Sequence, residues 1–281
     1  MHTGATARQV PSAGLTLSVR EYGVPAGGDA RDRTHLVLVH GYPDQQEMWD
    51  PVVTELTSRS DLPGLHVVTY DVRGAGGSGT PASRDGYRTE LLVEDLVAVV
   101  QATVPDGERF HLVGHDWGSV QCWDAVGAAS RDERLLGRVA TYTSISGPSL
   151  DHVAALFRNA HGRRLRVLNQ ALHSWYVAAF HVPWLPDMLL ARRNRNAANG
   201  LNLYRANIRR RMRDPGVTRT DVPVLLVVPT RDKFVTPTML EDVGDHCSDL
   251  TRVEIDAGHW VTRSRPAEVA ELVARHVRGH L

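Results

Sequence analysis

The stretch Phe110-His111-Leu112-Val113-Gly114-His115-Asp116-Trp117-Gly118-Ser119 restricts the fold of this chain more than any other. A short apolar run enters glycines at positions 114 and 118, and a helical pattern follows from Ser119. Glycines at that spacing allow a turn tight enough for backbone to pass against neighbouring backbone. The side chain between them is pushed out at the carboxyl edge of a strand, facing a helix N-terminus. In open α/β sheets ligands bind at that edge. Here the side chain is Asp116. The pattern is that of a G-x-S-x-G nucleophile elbow with Asp in place of Ser. Asp is also a good helix cap, but a cap needs no glycines on both sides, so the spacing favours a nucleophile.

The rest of the chain supplies a sheet for such a turn. Residues 36–39, 66–70, 110–113, 139–145, 224–228 and 253–255 are short apolar, β-branched runs bounded by Gly, Pro or Asp, and they predict strands. Residues 89–104 and 266–281 carry apolar positions at helical spacing, the second opening on Pro266. Strands alternating with helices predict a mostly parallel sheet covered on both faces, an α/β fold. Residues 15–22 alternate instead and predict an antiparallel edge strand. From 148 to 217 no strand pattern is visible, and Pro183, Pro186 and Pro215 punctuate a run rich in Leu, Ala, Trp, Tyr and Arg. The predicted organisation is a core of residues 1–147 and 218–281 with a helical cap, 148–217, inserted over one end of the sheet. The cap holds twelve Arg and three Asp. Solvated helix faces account for that, with a basic rim for an anionic substrate or partner as the other reading.

Composition narrows the function. With 281 residues the chain suits one large domain or one with an insertion. Its formal net charge of zero gives no pull toward nucleic acid or membranes and leaves a homodimer open. Cys122 and Cys247 make neither a disulfide framework nor a metal cluster, and no cofactor motif is present. The first seven residues are polar and lack the apolar centre of a signal peptide. No run approaches the roughly 18 apolar residues of a membrane span. A cytoplasmic enzyme is the default expectation.

Three further segments supply partners for Asp116. His40-Gly41-Tyr42-Pro43-Asp44 follows a strand, and its glycine lets the Tyr42 N–H turn toward a pocket. Paired with the Trp117 N–H, it would form an oxyanion hole. Pro229-Thr230-Arg231-Asp232 follows the fifth predicted strand, and Asp256-Ala257-Gly258-His259-Trp260 the last. The order is therefore nucleophile, acid, histidine. Among fourteen histidines His259 stands out, because a loop past Gly258 can carry it over the elbow. Asp256 competes with Asp232 for the acid, but it lies three residues from His259, at the strand's end.

Taken together the chain resembles an epoxide hydrolase of the α/β-hydrolase family. H-G-Y-P-D, Y-D-V-R-G-A-G-G-S at 70–78, G-H-D-W-G-S and A-G-H-W match in order and spacing, over residues 15–281. The stretch T-S-I-S-G-P-S-L-D-H at 143–152 is similar to a bacterial hydrolase domain often fused to a short-chain dehydrogenase. These residues carry no dehydrogenase pattern, so the partner domain's activity does not come with the resemblance. The resemblance implies an α/β-hydrolase fold, no cofactor, an epoxide and water as substrates, and Asp116, Asp232 and His259 as the triad. It also implies two cap tyrosines that activate the epoxide oxygen, which fall on Tyr176 and on Tyr204 in L-N-x-Y-R. Both would serve equally well as packing residues. Haloalkane dehalogenases share G-H-D-W-G but usually place Asn or Trp where this chain has Tyr42, and a non-catalytic ligand-binding homologue is the other alternative.

Overall fold

The computed structural model describes residues 4–23, 33–158, 175–182, 186, 188, 190, 194–216 and 219–281, apart from the side chains of Trp175, Tyr176 and Ala178. Eight strands form one sheet: β1 (Thr6–Ser12), β2 (Leu15–Gly23), β3 (Thr34–Val39), β4 (Leu65–Tyr70), β5 (Phe110–His115), β6 (Val139–Ile145), β7 (Val224–Pro229) and β8 (Leu250–Ile255). Their spatial order is β1-β2-β4-β3-β5-β6-β7-β8. From β4 to β8 all neighbours are parallel, and β2 pairs antiparallel with both β1 and β4. The antiparallel strand expected at 15–22 is therefore present, but β1 covers it and forms the edge. The alternation of β2 marks a strand with one wet face. It says nothing about whether a further strand pairs beyond it.

Every residue of β3, β5, β6 and β7 is buried, as expected of parallel strands covered on both faces. On one face α2 (Thr89–Thr103) and α3 (Trp117–Ala128) close a core around Leu96, Val100, Trp123 and Tyr142. On the other, α1 (Asp50–Thr57) and the C-terminal helix Pro266–Arg278 close a second around Trp49, Leu56 and Val273. Pro266 opens its helix at a position where a missing N–H costs nothing, and Val269, Ala270, Val273 and Val277 then fall on one face.

Between β6 and β7 lie α4 (Leu150–Arg158), α5 (Trp175–Phe180) and α6 (Arg195–Arg213), with no strand among the described residues. Asn207 of α6 clamps this layer to the core, accepting the Thr89 N–H at 3.0 Å and donating to the Tyr87 carbonyl at 2.8 Å. Arg211, also on α6, bridges Asp124 of α3 and Asp151 of α4.

The chain runs from β3 outward to β4 and returns to β5 on the other side of β3. The connections thus diverge at the carboxyl ends of β3 and β5. That crevice is where an open parallel sheet offers space for a ligand, and both the His40-Gly41-Tyr42 loop and Asp116 open onto it.

Candidate active site

Asp116 joins β5 to α3 with φ 53° and ψ −123°, a left-handed conformation rare outside glycine. The flanking glycines explain how the turn is tolerated. A Cβ at Gly118 would drive into the carbonyl oxygens of Val39 and His40, and one at Gly114 would lie 2.6 Å from the Ser119 Cα. Gly41 is needed for a related reason, since a Cβ there would collide with the Asp116 side chain itself. The Asp116 carboxylate makes no capping bond to α3. Its Oδ1 instead accepts the Tyr42 N–H at 2.6 Å. Trp117 is the first residue of α3, where an amide has no partner within its own helix. Both amides expected at an oxyanion hole thus belong to segments that meet at Asp116.

His259 approaches from the loop after β8. Its Nε2 lies 3.5 Å from Asp116 Oδ2 and its Nδ1 2.8 Å from Asp232 Oδ2. Asp232 follows β7, and its other oxygen accepts the N–H groups of Phe234 and Val235 at 2.8 and 3.0 Å. Burial pushes the Asp232 pKa up, but the His259 contact and those two amides outweigh it and hold the carboxyl below its ordinary value. Burial likewise opposes protonation of His259, and the hydrogen bonds and charges of Asp116 and Asp232 overcome it, raising the imidazole to about 10. Asp256, the competing acid, is exposed and paired with Arg231 at 2.8 Å.

Two buried histidines overlooked in the sequence brace this arrangement. His115, just before Asp116, reaches the backbone oxygen of His259 at 2.9 Å through Nε2 and so holds the loop that carries the imidazole. Burial and the neighbouring His259 lower its pKa to about 4, which keeps it neutral. His40 accepts the Val72 N–H at Nε2, 3.0 Å away, and its Nδ1 lies 2.9 Å from the Gly41 oxygen. The only sequence signal for either was adjacency to a motif residue. The segment at 70–78 is scaffold: Asp71 accepts the backbone N–H groups of Gln46 and Gly77, and Arg73 forms a buried pair with Asp95 at 2.6 Å.

Above Asp116 lies a cavity of about 620 Å³. Its wall is largely apolar, including Val120, Leu150, Val153, Ile208 and Phe234, and Tyr204 of α6 lines it together with Asp116 and Trp117. The Tyr204 ring stands edge-on to Trp117, Tyr42 and Phe180 at 4.9, 5.4 and 5.1 Å. The second expected tyrosine, Tyr176, belongs to α5, and its side chain lies outside the described residues. The Tyr42 ring fits where Gly200 leaves room, and its hydroxyl donates to the Ala197 oxygen at 3.1 Å. Several cap arginines are engaged internally. Besides Arg211, Arg205 donates to the Phe180 and Val182 carbonyls, Arg158 to that of Arg213, and Arg210 pairs with Glu90. Arg163, Arg164, Arg166, Arg192 and Arg193 lie outside the described residues. Among the described residues no cluster suits a metal ion, and no helix is long and apolar enough to cross a membrane.

Comparisons with known proteins place the chain's family and fold. Residues 36–272 match the family described as "Alpha/beta hydrolase family". The "Probable oxidoreductase EphD" of Mycobacterium tuberculosis is 33% identical over 295 residues, covering 92% of this chain and 47% of that protein. The chain thus spans about half the length of that curated relative. "Epoxide hydrolase 3" of Xenopus tropicalis is 26% identical, covering 88% of this chain and 72% of its own. Among solved structures, one described as "Novel epoxide hydrolases belonging to the alpha/beta hydrolases superfamily in metagenomes from hot environments" superposes with a TM-score of 0.78 at 22% identity. It covers 98% of this chain and 99% of its own.

Proposed function

Because this chain belongs to the alpha/beta hydrolase family, we propose that it opens epoxides to vicinal diols through a covalent ester on Asp116. One observation carries the reading. A carboxylate at the elbow has one oxygen on the Tyr42 amide and the other facing His259, with Tyr204 on the wall of the same apolar cavity. A serine nucleophile needs a base before it can attack; a carboxylate with a reference pKa of about 3.9 does not. Asp116 Oδ2 attacks an epoxide carbon, the C–O bond of the ring breaks, and the ring oxygen takes a proton from a tyrosine hydroxyl. Tyr204 and Tyr176 fill that role, worth roughly 10²–10⁴-fold.

Ester formation removes the negative charge of Asp116. With it goes part of the pull that keeps His259 protonated, so the imidazolium can release its proton to solvent and become a base. His259 Nε2 then takes a proton from water, which attacks the Asp116 carboxyl carbon. The oxyanion forms on Oδ1, against the Tyr42 and Trp117 amides. Collapse expels the diol oxygen, which recovers a proton from His259; the acid so formed at Asp116 returns its proton to His259, and the tyrosinate takes one from solvent. Asp232 orients the imidazole throughout.

The relatives named epoxide hydrolases support this choice of leaving group, and the described part of the cap, α4 to α6, supplies much of the cavity wall. We take residues 148–217 as the cap and the remainder as the hydrolase core. The likeness to EphD also fits a hydrolase domain that occurs beside a dehydrogenase domain, and the proposal concerns the hydrolase part alone. The test is His259→Gln. This variant should still alkylate Asp116 and then stall, so intact-protein mass spectrometry after mixing with styrene oxide should show one substrate-sized adduct. An inactive, folded variant without adduct would favour direct attack by water. Release of halide from a haloalkane, with every epoxide inert, would favour a dehalogenase.

A further inference from the structure

Two cap helices carry the cavity outward from Asp116. On α4 it is lined by Leu150, Val153, Ala154, Phe157 and Arg158, the spacing of one helical face. On α6 it is lined by Tyr204, Ile208 and Met212, each about one turn beyond the last. Leu150 and Tyr204 mark the inner end, because both pack in the apolar cluster that contains Trp117. From Leu150 to Arg158, and from Tyr204 to Met212, the helices advance about 12 Å at roughly 1.5 Å per residue. Arg158 stands at the outer end. It is the last residue of α4 and is exposed, and its Nη2 donates at 2.7 Å to the carbonyl of Arg213, the last residue of α6. One bond to a neutral carbonyl leaves most of the guanidinium's donors unused, and among the described residues no carboxylate pairs with it. Among the described residues lining the cavity, Asp116 and Arg158 alone are charged. The cavity therefore has an anion at one end, a cation at the other and a largely apolar wall between them.

We propose that Arg158 is a specificity-determining residue that receives a carboxylate at the far end of the substrate, so that the preferred epoxides are apolar chains with the ring at one end and an acid group at the other. This rests on the epoxide hydrolase reading above. A guanidinium presents a planar fork that a carboxylate fits with two parallel hydrogen bonds. The span of about 12 Å along each helix suits an extended alkyl chain of roughly eight to ten carbon–carbon bonds of ~1.5 Å each. Charge orders such a chain within the cavity, since its acid group meets a like charge at Asp116 and an opposite one at Arg158. The ring is thereby presented to Asp116. The acid group stays at the exposed rim, where it keeps much of its hydration and avoids the cost of burial.

The experiment uses the terminal epoxide of undecylenic acid and the methyl ester of the same epoxide, with the diol products followed by mass spectrometry. The wild type should favour the acid in kcat/KM by roughly 3–10-fold, the range of one net hydrogen bond, and added salt should shrink that ratio. In Arg158→Gln the ratio should fall to about one or lower, and Arg158→Lys should keep part of it. A wild type that does not favour the acid would overturn the subsite. So would a folded Arg158→Gln that keeps the preference, including one that slows both substrates equally, since the arginine would then only be tying α4 to α6. A wild type that opens styrene oxide but neither of these chains would also overturn it. One that opens none of the three would refute the hydrolase reading itself, and that result is visible before any variant is made.

Discussion

His259 lies between two carboxylates, and only one of them changes charge in the proposed cycle. Asp232 stays ionised and bonded to Nδ1, while Asp116 is neutral whenever it is esterified. Replacing Asp116 with Asn imitates that neutral state. The pKa of His259, raised to about 10 by both carboxylates against the effect of burial, should fall by roughly 1–3 pH units, the usual effect of removing one close charge. NMR titration of the His259 ring reads this directly, and an unchanged value would mean that Asp232 alone sets the proton. At this scale much of the candidate site was legible: Asp116, Asp232, His259, Tyr42 and Trp117 were each placed by a glycine or a strand end. His115 was not, because a histidine that braces a backbone oxygen 144 residues away looks like any other in a sequence.

Among the elements, the strand–turn–helix unit from β5 to α3 depends on glycines that the motif shows but does not rank. Gly118 packs against backbone that cannot move aside, so Gly118→Ala should destabilise by about 1–3 kcal/mol or more. Gly258 looked like the hinge that delivers His259, yet a Cβ added to it would meet nothing within 4 Å, and its φ is not left-handed. Gly258→Ala should therefore leave stability within about 0.5 kcal/mol of the wild type. Urea denaturation of the two variants tests both claims, and equal losses would contradict the steric account. Apolar runs located the buried strands to within a few residues, since parallel strands covered on both faces have little choice of composition. β1 was missed because its burial pattern is mostly exposed, and what holds it is the backbone ladder to β2.

Across the whole molecule, histidines pull stability in opposite directions with pH. Burial lowers His40, His66, His111 and His115, the last two to about 3 and about 4. Below the unfolded value of about 6.5 the unfolded chain binds protons that these folded groups refuse, so stability falls with acidification, by about 1.4 kcal/mol per pH unit for each such group. His259 has the opposite sign. Its contribution is complete below about 6.5 and is lost as the pH rises toward about 10. Tm should therefore peak near pH 6.5 and decline on both sides, whereas a flat profile from pH 4 to 7 would show that these histidines protonate without cost. A last consequence follows from Tyr42, whose amide holds Asp116 Oδ1 while its ring and hydroxyl rest on α6 at Gly200 and Ala197. The roof and the anion-holding amide hang on one lever. In the proposed cycle a guest bulky enough to lift α6 would also slacken the grip on Oδ1, so it would be admitted yet left unconverted, and selectivity would be exercised in the rate of reaction as much as at the door.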